Sequence, residues 1–130
     1  MSPRMAVQTD AAPGSIGPYS QAIVSGGLVF TAGQLGSDPG TGRLVEGGTA
    51  AQAEQALRNL EAVLDAAGTS FAQVLKTTIF LADIADAPEV NEVYLRHVVP
   101  PYPARSTIAV KALPRGAQVE IECVAQLANG

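Results

Sequence analysis

Between Thr49 and Gly68 the sequence carries one apolar stripe. Ala53, Ala56, Leu57, Leu60, Val63, Leu64 and Ala67 recur at spacings of three and four, while Glu54, Arg58, Glu61 and Asp65 take the other side. That period is an α-helix's. A helix apolar on one side must lay that side on another element. Thr49 and Gln52 read as a T-x-x-Q capping box at its start, and Gly68 as the glycine just past its end. The rest of the chain therefore has to supply a surface for this helix to cover.

That surface is a sheet. Ala22-Ile23-Val24 and Leu28-Val29-Phe30-Thr31-Ala32 flank Ser25-Gly26-Gly27 and read as a hairpin. Met5 to Gln8 reads as a short first strand, and Asp10 to Pro18 as a loop. Val74 to Leu81 is a β-branched strand with a central Ile79-Phe80-Leu81, preceded by a second box, Ser70-x-x-Gln73. A second helix begins near Pro88, with Val90, Val93, Tyr94 and His97 or Val98 on its inner face and Asn91 beside it; Pro100-Pro101 stops it. A strand over 102–110, a turn at Leu113 to Gly116 and a last strand from Gln118 to Leu127 complete the chain. The order, (β)ββ-α-β-α-ββ, predicts an α+β fold: a mixed six-stranded sheet with two helices on one face. All 130 residues form one domain. Hydrophobic residues make up 47% of the chain, more than one layer of two helices can cover, so the second sheet face is expected to close on further copies.

Composition removes several chemistries. One cysteine, Cys123, allows no intrachain disulfide, and one histidine, His97, cannot build a His₃ or His₂Glu metal site. No metal or other cofactor is expected. A lone histidine near a helix end fits a partner for the helix dipole better than a catalyst. The 8 Lys+Arg are scattered singly against 12 Asp+Glu, which argues against a nucleic-acid surface. No apolar run approaches the roughly 18 residues of a membrane span, and Met1 to Met5 lacks the apolar core of a signal peptide, so a reduced cytoplasmic setting is expected.

One arginine stands out. Arg105 lies in Tyr102-Pro103-Ala104-Arg105-Ser106-Thr107, at the mouth of a strand and just after a proline. Pro103 suits a strand's first residue or an edge, so Arg105 is a guanidinium on a stiff element. Its planar fork matches a carboxylate bidentately. Tyr19 follows Ile16-Gly17-Pro18 in a turn of restricted backbone, and Gly33 ends a strand where a ligand or another backbone approaches closely. Taken alone, Arg105 also reads as a solvated surface charge, Tyr19 as a packing residue, and Glu120 and Glu122 as exposed carboxylates on one strand face.

Six stretches together resemble a known family, the reactive-intermediate deaminases (YjgF-type imine/enamine deaminases). They are Ile16 to Ala22, Thr31 to Gln34, Lys76 to Leu81, Val90 to Tyr94, Pro103 to Ser106 and Val119 to Glu122, in the family's order across nearly the whole chain. The resemblance implies a homotrimer of chorismate-mutase-like subunits with sites at the subunit interfaces. It implies hydrolysis of 2-imino acids, the tautomers of 2-aminoacrylate-type enamines, to 2-keto acids and ammonia. Arg105 matches the arginine that grips the substrate carboxylate and Glu120 the acid that orients water. Tyr19, Gly33 and Asn91 match site-lining positions. Thr107 stands where many relatives have cysteine, and Ala32 where many have serine.

The chemistry agrees with the residues. A 2-imino acid is already electrophilic at C2, so positioning and proton handling suffice. Three readings compete: a non-catalytic small-carboxylate binder using the same Arg105 clamp, an RNA-cleaving translation inhibitor of the same fold, and chorismate mutase by fold analogy. The acidic balance opposes the second, fold alone does not carry function for the third, and a dianionic substrate would want more than one arginine.

Overall fold

The structure is a computed structural model that describes residues 3–128. The apolar stripe forms α1, Gly48–Ala67. Leu57, Leu60, Val63 and Leu64 are fully buried along it, each burial worth about 1.5–3 kcal/mol. Gly68 closes its end in the left-handed conformation, with its N–H bonded to Asp65 O and the Thr69 N–H to Leu64 O. The start differs from the capping box expected of Thr49 and Gln52. Gly47 occupies the cap position, and no side chain caps the helix. The Thr49 hydroxyl instead lies 3.0 Å from Asp86 Oδ2 and 2.6 Å from Gln118 Oε1, and Gln52 Oε1 accepts from the Gln118 N–H. Both residues are buried, so their polar groups bond across the fold rather than to their own helix terminus.

The strands are β1 (Met5–Val7), β2 (Ala22–Ser25), β3 (Leu28–Thr31), β4 (Gln34–Leu35), β5 (Val74–Leu81), β6 (Ala104–Ala109) and β7 (Val119–Gln126). Six of them run in the order β1-β2-β3-β7-β5-β6, and the two-residue β4 adds a seventh that pairs with β7. The sheet is mixed: β5 and β6 are parallel and the other pairs antiparallel. Ser25 pairs with Leu28, so the hairpin turns on Gly26 and Gly27 alone, both at positive φ. β6 begins at Ala104 and ends at Ala109, inside the expected 102–110. Residues Phe71–Gln73 form a single 3₁₀ turn, with no side-chain cap from Ser70.

The second helix, α2, spans Ala87–Tyr94 and packs beside α1, giving the α+β layering its order implied. His97 follows it. Its Nε2 sits 3.0 Å from both carboxylate oxygens of Glu54 on α1. The histidine thus ties the end of α2 to the first helix through a carboxylate.

Register assigns every strand residue to a face. Thr77, Ile79 and Leu81 pair with Cys123, Ile121 and Val119 on one side and with Arg105, Thr107 and Ala109 on the other, so all nine side chains point toward the helices. Phe30, Thr78, Phe80, Ile108, Glu120, Glu122 and Val124 point to the opposite face, which no helix among the described residues covers. Phe30 and Ile108 are 44% and 47% exposed there.

Between β4 and α1 the backbones nearly touch. A Cβ built on Gly36 would lie 2.5 Å from Gln52 Cα and from Gln52 O. Asn59 reaches across the same seam, its Nδ2 donating to Leu35 O and Ser37 O. Gly36→Ala must therefore push helix and strand apart and should destabilise the protein by about 1–3 kcal/mol. Gly14→Ala, where the new methyl meets nothing within 4 Å, is the comparison. Urea unfolding of both variants checks this; equal midpoints would contradict the close approach.

Candidate active site

Arg105 sits on the sheet's edge strand, with its guanidinium carbon 5.0 Å from the centroid of the Tyr94 ring. Tyr94 is buried on α2, and its hydroxyl is 2.8 Å from Thr77 Oγ1. Arg105, Tyr94 and Asn91 line a cavity of about 430 Å³ with Leu95, Val98, Tyr102 and Pro103. Among the described residues Arg105 makes no ion pair or side-chain hydrogen bond. Its N–H donors are therefore available to a ligand. Thr107 lies two residues along the same face, and its buried Oγ1 has no partner among the described residues.

Glu120, Gly33 and Tyr19 line a different cavity of about 600 Å³. Glu120 is on β7, paired with Leu35 of β4 and Phe80 of β5. A Cβ on Gly33 would lie 2.8 Å from Glu120 Cδ, so the missing side chain is the space the carboxylate occupies. Glu122 shares the face but does not line this cavity. Tyr19 leads out of the loop anchored by Gln21. That buried amide accepts from the Thr9 N–H and donates toward the carbonyls of Thr9, Ala12 and Pro13. The Tyr19 hydroxyl accepts from the Ile16 N–H at 3.3 Å.

The structure thus sorts the sequence-predicted residues into two groups. Arg105, Asn91 and Thr107 belong to the helix side of the sheet edge. Tyr19, Gly33 and Glu120 belong to the open side. One chain does not bring Arg105 and Glu120 together. Gln21, Tyr94 and Arg115 also line these cavities, and no local sequence pattern marks them for it. Arg115 lines the larger cavity and donates to Gly42 O from a backbone at φ 60. A non-glycine residue in that conformation was hidden behind what read only as a Pro-Arg-Gly turn.

Electrostatics separates the acid from the thiol. Burial, and then the neighbouring Glu122 charge, raises the Glu120 pKa, which makes its carboxylate a stronger base when ionised. Burial pushes the Cys123 thiol up to about 11, so it stays protonated and inert at neutral pH. Among the described residues no group of three His, Cys, Asp or Glu side chains is placed to hold a metal ion. No described helix is long and apolar enough to cross a membrane.

A family model described as endoribonuclease L-PSP matches residues 9–127. The chain belongs to that family. Among its relatives, the human protein named 2-iminobutanoate/2-iminopropanoate deaminase is 48% identical over 122 residues, covering 94% of this chain and 89% of the human one. The crystal structure of RidA from the Antarctic bacterium Psychrobacter superposes with a TM-score of 0.91 at 45% identity, over 95% of this chain and 99% of that one. Escherichia coli TdcF, solved with bound serine, gives 0.89 at 37% identity, over 95% and 99%. The family description names a nuclease, whereas the human relative is named for an imine deaminase. The reactive-intermediate deaminase resemblance read from the six motifs is borne out by these relatives.

The raised Glu120 pKa has a sign that can be tested. The fold holds the Glu120 proton to higher pH than the unfolded chain does, so ionising it costs stability above that pKa. The cost is relieved as pH falls through it and is gone once both states are protonated, below about pH 4. Glu120→Gln should therefore be stabilised relative to the parent at pH 7, with the gap narrowing toward pH 4. Urea melts at the two pH values measure it; a gap that widens on acidification would reverse the assignment.

Proposed function

We propose that this protein is a cofactor-independent hydrolase that converts 2-imino acids, such as 2-iminopropanoate and 2-iminobutanoate, to 2-keto acids and ammonia. The observation that carries the reading is near-full-length identity of 48% to a human protein named for that activity. The serine in TdcF supports a small carboxylate-bearing ligand. In this reading Arg105 grips the substrate carboxylate through two parallel N–H donors. Asn91 and Thr107 flank it, and Tyr19 and Gly33 shape the wall beside Glu120. A water aligned by Glu120 attacks C2 and gives up a proton to the carboxylate, which returns it to the imine nitrogen. The hydroxyl proton of the resulting carbinolamine then passes by the same carboxylate to the amine, the C–N bond breaks as ammonia departs, and the C–O bond becomes the keto group. The oxygen comes from water, and no electrons are exchanged.

Because Arg105 and Glu120 lie on opposite sides of the sheet, the site is completed by a second copy. We place it between subunits of a homotrimer, with the exposed Phe30 and Ile108 supporting closure of the open faces on one another. The reaction needs no membrane or nucleic acid and suits a reduced cytoplasmic setting. The nuclease reading is weaker: the chain carries 8 basic against 12 acidic residues, and each cavity is lined by a single arginine and no lysine.

Threonine dehydratase coupled to this protein, with imine decay as the readout, tests the reading. Arg105→Ala should lower kcat/KM at least about a hundredfold, since two charge-assisted bonds are lost. Arg105→Lys, which keeps charge without the fork, should recover little. Mixing Arg105→Ala with Glu120→Gln subunits after dissociation should restore about a quarter of parental activity, because random closed trimers rebuild intact sites at that frequency. Undiminished activity in Arg105→Ala would end the clamp role of Arg105, and imine decay no faster than without the parent protein would end the deaminase assignment. Inactive mixed trimers would end the shared site.

A further inference from the structure

Arg105 is an exposed arginine on an edge strand, a side chain with many rotamers and no described ion pair or hydrogen bond to hold it. A clamp that wanders among rotamers would lose much of its binding advantage to ordering. The structure supplies one contact for the charge, the face of Tyr94 at 5.0 Å. That ring is itself fixed. It is 4% exposed, it rides on α2, and its hydroxyl is 2.8 Å from Thr77 Oγ1. Thr77 is fully buried and is the register partner of Arg105 on the neighbouring strand. The chain of contacts therefore closes on itself, from β5 through Thr77 and Tyr94 to the guanidinium and back into β6.

We propose that Tyr94 is the positioning residue for Arg105: its buried ring supports one face of the guanidinium and sets the plane from which the substrate carboxylate is gripped. The inference rests on the reading of Arg105 as the carboxylate clamp. A cation lying on an aromatic face is attracted by the ring quadrupole, more strongly where water is partly excluded. An arginine stacked this way keeps its N–H donors, which lie in the guanidinium plane, free for a bidentate partner. Burial raises the Tyr94 pKa, against the opposing effects of the Thr77 hydrogen bond and the Arg105 charge, so the ring remains a neutral phenol. Thr77 then fixes the ring's tilt, and the residue pair sets the arginine's aim.

A core tyrosine with no such role would affect stability but not the electronics of binding, and the test separates the two. The Tyr94→Phe protein serves as reference for counterparts carrying mono-, di- and trifluorinated phenylalanine at the same position, which keep shape while draining the ring face. KM for 2-iminobutanoate and the Kd of 2-oxobutanoate should rise stepwise with fluorination, by about three- to thirtyfold over the series. The kcat should hold, because the carboxylate is gripped alike in ground and transition states. Tyr94→Leu should weaken 2-oxobutanoate binding in the parent and add nothing in the Arg105→Ala background, as expected of residues acting as one unit. A flat fluorination series, or a Tyr94→Leu loss of equal size in both backgrounds, overturns the proposal while leaving the clamp intact. If Arg105→Ala itself binds 2-oxobutanoate like the parent, the clamp reading falls and this inference with it. Should Tyr94→Leu fail to fold, the fluorination series alone decides.

Discussion

A single sheet with helices on only one side sets the terms for everything else in this protein. α1 buries its stripe on one face, and that burial fixes the register of every strand, because a slip by one residue would turn the core side chains outward. The same alternation leaves the other face with Phe30, Ile108, Glu120 and Val124 and no described helix to cover them. Both described α-helices pack side by side on the first face. The chain's two chemical assets, a guanidinium and a carboxylate, consequently end up on opposite sides of one sheet.

The two proposed site groups are held by different means on the two sides. Arg105 projects from an edge strand and depends on an aromatic face and its hydroxyl tether for direction. Glu120 sits inside the sheet, between Leu35 and Phe80, and its position is fixed by backbone pairing and by the absence of a side chain at Gly33. Its environment is shaped to make ionisation costly, through burial and a like-charged neighbour. That is the usual arrangement for a carboxylate that has to move a proton.

Much of this was legible in the sequence, for reasons particular to each element. The period of Ala53 to Ala67 and the alternation of Val119 to Gln126 are strong signals, since each buries one full side. The pattern around Thr49 misled because a threonine and a glutamine three apart look the same whether they bond to their own helix or to Gln118 across the fold. The two-residue β4 was invisible, since Gln34-Leu35 has no room to display a period. Arg105 and Glu120 were picked out, but their placement on opposite faces follows from parallel pairing of β5 with β6 and antiparallel pairing of β5 with β7, which local sequence does not encode. Tyr94 read as an inner-face helix residue, and nothing near it in sequence announces the arginine that lies on it.

Gln21 carries a consequence of its own. One buried amide satisfies four backbone groups of the segment before Tyr19. Swinging that segment aside would strip an interior amide of its partners at once, and the barrier to doing so makes such an excursion slow beside ordinary loop motion. The wall that bears Tyr19 is then a fixed jamb and not a door. Access to Glu120 is then set by the fixed mouth of its own cavity and, in the proposed trimer, by how tightly neighbouring copies fit, rather than by any moving flap.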